Sequence, residues 1–241
     1  MVPKRLSRFL LDMATEVSSG KGTPGVITLA CSVLTHFLLV APVIYILVLA
    51  FRHYSFFSWH PICMSVGVGL LITEAVFSVS GEAYISSKLP RRDRVTIHWI
   101  LHATGLAIIG IGLIIIVVNK INHNNHHFVS THSQLGLATI IISVLTASFG
   151  ILAKNTSWLY PHLRPIFIKI AHACGGSVVI ILLLATLING TYSFWWPGSV
   201  TGRNLVFASW FIAGFLILVK PVLGAVSRCR VVFGPPSSDT R

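Results

Sequence analysis

The stretch Phe57-Ser58-Trp59-His60-Pro61-Ile62-Cys63-Met64 decides the fold, because it places a histidine at the head of a long apolar run. The same arrangement recurs three more times, where apolar runs open on His98, His132 and His172. An ionisable side chain is costly inside a membrane span and is by default a candidate for function. Four of them, one near the start of each of four successive runs, therefore predict a site that several helices build together.

The composition around these runs is that of a membrane protein. Of the 241 residues, 54% are hydrophobic and only 10% are charged, whereas soluble domains carry about 25% charged residues. Six apolar runs are each long enough to cross a bilayer, which takes about 20 residues. We place them at 26–51, 59–80, 96–118, 131–153, 168–190 and 204–226. The predicted fold class is therefore all-α, a six-transmembrane-helix bundle in a lipid bilayer.

The basic residues indicate how this bundle is oriented. Fifteen of the 18 Lys and Arg residues fall on one side of the predicted spans, which leaves Arg52, Lys120 and Arg203 for the other side. Cytosolic loops carry an excess of Lys and Arg, so both termini are expected in the cytosol. The predicted organisation is a cytosolic N-terminal segment at 1–25, a transmembrane domain at 26–226 and a cytosolic tail at 227–241. This orientation accounts for the net charge of +12, and nucleic acid is not an expected partner.

The alternating directions of the spans sort the four histidines into two levels. The second and fourth predicted spans descend from the outer side, so His60 and His132 share an outer level. The third and fifth ascend from the inner side, so His98 and His172 share an inner level. Two imidazoles at one level suit the axial ligands of a planar macrocycle held between helices. The pattern therefore predicts two haems in the central four helices. They are expected to be haem b, bound without covalent attachment, because the chain has no Cys-x-x-Cys-His motif.

Two histidines on each iron leave no open coordination position, which favours electron transfer over oxygen chemistry. Roughly 14 residues of helix separate the two levels, which corresponds to about 20 Å at the rise of an α-helix. Two redox centres in series would connect the two sides of the membrane. Two other readings of the histidines remain open at this point: a metal-ion transporter whose histidines line an ion path, and a haem-binding membrane protein without turnover.

Several stretches beyond the histidines themselves belong to an ordered set of motifs. They are Phe57-Ser58-Trp59-His60-Pro61 with Met64, Thr73-Glu74-Ala75, the basic run ending at Arg94 before His98-Trp99, His127-Phe128-Val129-Ser130 before His132, Lys169 before His172, and Ser199-Val200-Thr201-Gly202. With these motifs the chain resembles the cytochrome b-561 family of transmembrane, ascorbate-dependent reductases, and most of all its subgroup of cytochrome b-561 domain-containing proteins.

The resemblance implies a ligand set and a reaction. It implies that His60 and His132 ligate an outer haem b, and that His98 and His172 ligate an inner one. It also implies that cytosolic ascorbate reduces the inner haem and that monodehydroascorbate or ferric chelates are reduced on the other side. Family members are often homodimers, so a second copy of this chain is an expected partner. The endoplasmic reticulum, vesicles and the plasma membrane are the expected locations.

Ascorbate is a small monoanion, so its site is expected to be cationic and to lie beside the inner haem. The candidates are four basic residues within about two helical turns of an inner-level histidine. They are Arg91, Arg92, Arg94 and Lys169. The same residues also follow from the positive-inside rule alone. By proximity to the histidines, Arg94 and Lys169 rank highest.

The loop between the third and fourth predicted spans carries three further histidines. His127 matches a family position five residues before His132, and it is a candidate to bind the outer acceptor or a haem propionate. His123 and His126 are either solvated or hold a ferric or other metal species.

Three ionisable residues within the predicted spans have open roles. His36 is expected near the inner haem, either in contact with a propionate or in a packing role. His102 lies one turn after His98 and is an alternative inner ligand if the helix register differs. Glu74 is expected either to hydrogen-bond within the bundle or to reach the inner interface.

Overall fold

Six long helical stretches make up the computed structural model, which describes residues 26–234. Within these residues the six stretches are long and apolar enough to cross a membrane, and there is no strand. We number them span 1 to span 6: Val26–Arg52, Phe56–Ser87, Arg91–Asn122, Thr131–Lys154, Pro165–Gly190 and Val200–Phe233. The all-α, six-helix prediction is confirmed. The predicted N-terminal segment, 1–25, and residues 235–241 of the predicted tail lie outside the described residues.

Each predicted apolar run falls inside one of these spans, and most spans are longer than the run. The helices begin and end at capping residues and prolines, whereas hydropathy marks only their apolar part. Span 4 follows Ser130, whose hydroxyl accepts a hydrogen bond from the Ser133 backbone N–H at 3.3 Å. Span 6 follows Ser199, which accepts from the Gly202 N–H at 3.0 Å. Such caps satisfy N–H groups that the first helical turn leaves unpaired. Pro165 opens span 5, where the missing N–H of proline costs little.

Span 2 is not a uniform α-helix. Its central segment, Ser65–Ile72, is π-helical, and α-helical segments at Trp59–Met64 and Thr73–Ser80 flank it. A π-helical turn accommodates one more residue than an α-helical turn and is frequent at functional sites. The α-helical part ends at Gly81, whose φ of 74° lies in the left-handed region that glycine tolerates best.

The spans pack as two hairpins with two supporting helices. Spans 2 and 3 lie against each other and form the first hairpin, and spans 4 and 5 form the second hairpin. The hairpins meet where the π-helical segment of span 2 faces span 5. Span 6 packs on spans 1, 2 and 5, and span 1 packs on spans 2 and 6. Span 2 is therefore the centre of the bundle.

Small residues let the spans of the first hairpin approach closely. A Cβ added at Gly105 would lie 2.9 Å from Cγ1 of Ile72 and 3.1 Å from the carbonyl oxygen of Gly67. On the opposite face of span 2, Gly69 packs on the ring of Trp210, which is 0% exposed. Lipid tails are as apolar as the helices, so close packing of this kind drives helix association in a membrane.

We expect Gly105→Ala to lower stability by about 1–3 kcal/mol, because the added methyl group would overlap the backbone of span 2. Gly110→Ala is the matched control in the same span, since a Cβ there meets nothing within 4 Å. The measurement is the melting temperature in detergent, followed as the loss of monodisperse protein in size-exclusion chromatography. Equal melting temperatures for the two variants would contradict the close approach of spans 2 and 3.

Candidate functional site

The four histidines that open the central spans come together in two pairs. The ring centroids of His60 and His132 lie 6.3 Å apart with their planes at 83°. Those of His98 and His172 lie 6.3 Å apart with their planes at 84°. In each pair one ring comes from the first hairpin and the other from the second. The two pairs are the ones that the sequence predicts, and they have nearly identical geometry.

This separation fits one metal ion between the two rings of a pair. An imidazole nitrogen lies about 2.0 Å from a first-row metal and about 1.1 Å from its own ring centre, so two imidazoles on opposite sides of an ion have centroids about 6 Å apart. Both pairs show 6.3 Å. The donor set is also suitable, since two imidazoles are a recognised axial set for haem iron.

Three of the four rings are anchored by a hydrogen bond from Nδ1 to a backbone carbonyl of the other span in the same hairpin. The donors and acceptors are His60 and Gly112 (2.9 Å), His98 and Ala75 (3.0 Å), and His172 and Thr146 (3.1 Å). A carbonyl oxygen only accepts, so each Nδ1 carries the hydrogen and Nε2 keeps its lone pair. Metal-bound histidines are usually anchored through their second nitrogen in this way.

His132 is the one ring of the four without a hydrogen bond from Nδ1 to a backbone carbonyl. Its Nδ1 is buried and forms no hydrogen bond within the described residues, although the Thr186 carbonyl of span 5 lies next to it. A buried N–H without an acceptor is unfavourable, so Thr186 is the acceptor that this ring needs. His132 thus faces its hairpin partner as the other three rings do.

Each anchoring carbonyl follows the histidine of its own span by 14 or 15 residues. Gly112 follows His98 by 14 residues, and Thr146 follows its own span's histidine, His132, by the same number. Fourteen residues rise about 21 Å and make nearly four turns, so the two groups face the same side at different levels. In span 2 the spacing is 15, from His60 to Ala75. The π-helical segment between them accommodates the additional residue.

His102 lies beside the inner pair. Its ring centroid is 4.5 Å from that of His98, which is too short for the two rings to bind opposite sides of one ion. His98 also has the backbone anchor that His60 and His172 share. The geometry favours His98 as the inner ligand of span 3, with His102 packed against it.

His36 and Glu74 form a polar pair between spans 1 and 2. His36 Nδ1 and Glu74 Oε1 are 2.8 Å apart, and the His36 ring meets Phe77 edge-on at 5.1 Å. Glu74 therefore hydrogen-bonds within the bundle, which decides between the two expectations for this residue. It directly precedes Ala75, whose carbonyl anchors His98. The predicted contact of His36 with a haem propionate stays a prediction.

The four basic candidates lie at the starts of spans 3 and 5, the ends that carry His98 and His172. Arg91 and Arg92 are exposed in the first turn of span 3, and Lys169 is exposed in the second turn of span 5. Arg94 is half-buried: it lies against Gly81 and donates from Nη1 to the Val79 carbonyl at 3.5 Å. Arg94 and Lys169 come four and three residues before an inner-level histidine, so each lies about one turn from it.

The histidines of the loop between spans 3 and 4 are exposed. His127 is exposed, with its ring 6.1 Å from that of Phe128. His123 Nδ1 and the Asn119 carbonyl oxygen lie 2.7 Å apart, and the His126 carbonyl accepts from Lys120 Nζ at 2.7 Å. Within residues 26–234, no group of three or more His, Cys, Asp or Glu side chains could hold a metal ion.

Sequence reasoning missed the backbone groups and the glycines around the histidines. Gly150 lies against the His172 ring and Gly190 against the His132 ring. The anchoring carbonyls leave no mark on residue type, so no signal in the sequence could have identified them.

Fold and site together define a multi-pass membrane protein with two internal imidazole pairs at different depths. The chain belongs to the eukaryotic cytochrome b561 family, whose sequence model matches residues 59–197. Members of this family bind haem b.

Curated relatives are named as reductases. The chain is 34% identical over 182 residues to the transmembrane reductase CYB561D2 of Homo sapiens, covering 74% of this chain and 78% of the relative. It is 27% identical over 137 residues to the lysosomal membrane ascorbate-dependent ferrireductase CYB561A3 of Mus musculus, covering 56% and 54%. It is 29% identical over 140 residues to the plasma membrane ascorbate-dependent reductase CYBRD1 of Rattus norvegicus, covering 56% and 46%. These names support an oxidoreductase activity for the chain.

We expect each ligand histidine to be required for haem at its own level only. If each pair holds one haem, as the sequence predicts, His60→Ala and His132→Ala should each reduce haem from about two to about one per chain, because the outer pair loses one of its two imidazoles. His98→Ala and His172→Ala should do the same at the inner level. Pyridine haemochrome quantitation on purified protein gives the haem content, and low-temperature difference spectra show which of the two spectral components is lost.

His102→Ala is the matched control for these variants, since His102 contacts His98 but lacks the backbone anchor. It should keep about two haems. Loss of haem in His102→Ala with retention in His98→Ala would instead assign the ligand to His102.

Proposed function

We propose that this protein is a two-haem transmembrane oxidoreductase that carries electrons from cytosolic ascorbate across the membrane. The acceptor on the non-cytosolic side is monodehydroascorbate or a ferric chelate. The observation that carries the proposal is the pair of equal histidine couples, each with centroids 6.3 Å apart, at two depths of one helical bundle. The ascorbate-dependent reductases among the relatives support the choice of electron donor.

The cofactor class follows from the donor set. Haem b supplies reversible one-electron oxidation and reduction when it is bound. His60 and His132 would hold the outer haem, and His98 and His172 the inner one. With two imidazoles holding each iron, no open coordination position would be left for dioxygen or substrate, so the chemistry supplied would be electron transfer.

Arg94 and Lys169 are proposed to bind the ascorbate monoanion at the inner ends of spans 3 and 5. Both are cationic, and each lies about one turn from an inner-level histidine. Their charge favours a bound anion close to the point where an electron must enter the bundle. Arg91 and Arg92 are exposed in the turn before and increase the positive potential around the site. On the outer side, the exposed His127 is proposed to contact the acceptor or a haem propionate.

The proposed orientation places both termini in the cytosol, with a transmembrane domain at 26–226 between two cytosolic segments. The excess of Lys and Arg at the inner ends of the spans supports it. The protein is proposed to act in the endoplasmic reticulum, vesicle or plasma membrane, as a monomer or as a homodimer.

We expect purified protein in liposomes to pass electrons through the membrane. External ascorbate should reduce the bound haem within seconds, and ferricyanide or ferric citrate trapped inside should oxidise it again. Absorbance in the haem α-band follows both steps. Protease accessibility identifies the fraction of the protein that is inserted with its cytosolic face outward. His60→Ala should remain reducible by ascorbate but should lose transfer to the trapped acceptor, because the outer centre is missing. Trapped acceptor that is reduced equally well by His60→Ala liposomes would contradict the series arrangement.

We expect Arg94→Gln and Lys169→Gln each to raise the ascorbate concentration for half-maximal haem reduction by roughly 3- to 10-fold, the effect of losing about 1 kcal/mol from one partly exposed charge contact. The maximal rate at saturating ascorbate should change little. Arg52→Gln is the control, since this exposed residue lies at the outer end of span 1. A response of Arg52→Gln equal to that of Arg94→Gln would show that the effect is one of general charge and not of a site.

A further inference from the structure

Two glycines of the second hairpin lie against the edges of its two ligand rings. A Cβ added at Gly150 in span 4 would lie 2.9 Å from Cε1 of His172 in span 5. A Cβ added at Gly190 in span 5 would lie 3.0 Å from Cε1 of His132 in span 4. The two contacts are reciprocal, and one lies at each level. Real Cβ atoms almost never approach another atom as closely as 2.9 Å, and 3.0 Å is tighter than most real contacts, so a side chain at either position would press on the ring and shift it.

Other glycines of the same spans have no such contact. A Cβ at Gly136 in span 4 would meet only the Thr186 methyl group at 3.5 Å, and one at Gly176 in span 5 meets nothing within 4 Å. Glycine in a helix interior costs about 1 kcal/mol relative to alanine. At Gly150, in the interior of span 4, this cost is matched by a specific requirement for space beside a histidine. Gly190 is the last residue of span 5 and meets the same requirement at the helix end.

The displaced atom matters because of where it lies in the ring. Cε1 joins Nδ1, which binds the backbone, to Nε2, which faces the metal position. The His172 ring cannot yield to a methyl group at position 150 without changing its 3.1 Å hydrogen bond to Thr146 or the direction of Nε2. It would also change the 84° angle that this ring makes with His98.

We propose that Gly150 and Gly190 are positioning residues that set the ring planes of His172 and His132. Gly150 acts on the inner pair and Gly190 on the outer pair. The missing Cβ lets each ring lie edge-on against the neighbouring helix, at nearly a right angle to the ring that faces it. The proposal rests on the proposed haem ligation, because a ring plane affects the redox centre only where the ring is an axial ligand.

The test uses Gly150→Ala and Gly190→Ala in the full chain, with Gly136→Ala and Gly176→Ala as controls in the same two spans. The spectrum of a low-spin ferric haem in electron paramagnetic resonance depends on the angle between its two axial imidazole planes. It therefore reports ring orientation, whereas a merely structural role would leave it unchanged. His172→Ala and His132→Ala identify the signal of each level. Spectra are recorded on membranes as well as on purified protein, so that less stable variants are also scored.

We expect Gly150→Ala to shift the largest g value of the inner haem, or to reduce haem content to about one per chain, while the outer signal stays as in the wild type. Gly190→Ala should do the reverse. The unaffected level shows in each variant that the bundle is folded. Both controls should give wild-type spectra.

Wild-type signals from both haems in Gly150→Ala and Gly190→Ala would overturn the proposal, as would equal shifts in the controls. These outcomes differ from failure of the proposed function, in which the wild type itself lacks two low-spin haem signals. The two variants are scored independently. Gly150→Ala tests the proposal for the inner pair and Gly190→Ala tests it for the outer pair, so one variant that accumulates in the membrane is enough for its own pair.

Discussion

The hydrogen bond from a histidine Nδ1 to a backbone carbonyl of the neighbouring span is the interaction on which the site depends. Inside a bilayer an imidazole N–H has no water to bind, so it must find an acceptor in the protein. Helix carbonyls are the acceptors always present at that depth. By binding them, three of the rings fix their tautomer and direct the other nitrogen away from the helix. The bundle thus prepares ligands without any polar side chain to orient them.

This use of the backbone links the two levels. Each central span supplies a ring at one depth and, about four turns later, stands beside the ring of its hairpin partner at the other depth. A change in the pitch of one span would therefore move a ligand at one level relative to its anchor at the other. In span 2, Ala75 follows His60 by 15 residues where the corresponding spacing in the other central spans is 14, and the π-helical segment restores the match.

The two hairpins make room for their histidines in different ways. In the first hairpin a glycine itself provides an anchor, since the Gly112 carbonyl accepts from His60. In the second hairpin, Gly150 and Gly190 come one turn after Thr146 and Thr186, whose backbone carbonyls face the two rings. The two glycines leave space for the ring edges. Both solutions rely on a missing Cβ, because the two spans of a hairpin approach closely beside a ring, with no side chain between them. Rigid ligands held in this way suit the proposed electron transfer, in which the iron changes charge but keeps both ligands.

The sequence by itself determined the six spans, because the free energy of placing a helix in lipid is a sum over its own residues. It also predicted which histidines meet, since alternating span direction fixes depth once the spans are placed. Only the tertiary structure decided the backbone anchors, the pairing of Glu74 with His36, the packing of His102 against His98 and the contacts of Gly150 and Gly190 with the rings. Each of these depends on the distance and rotation between two helices, which arise from packing and are not encoded in the pattern of either helix alone.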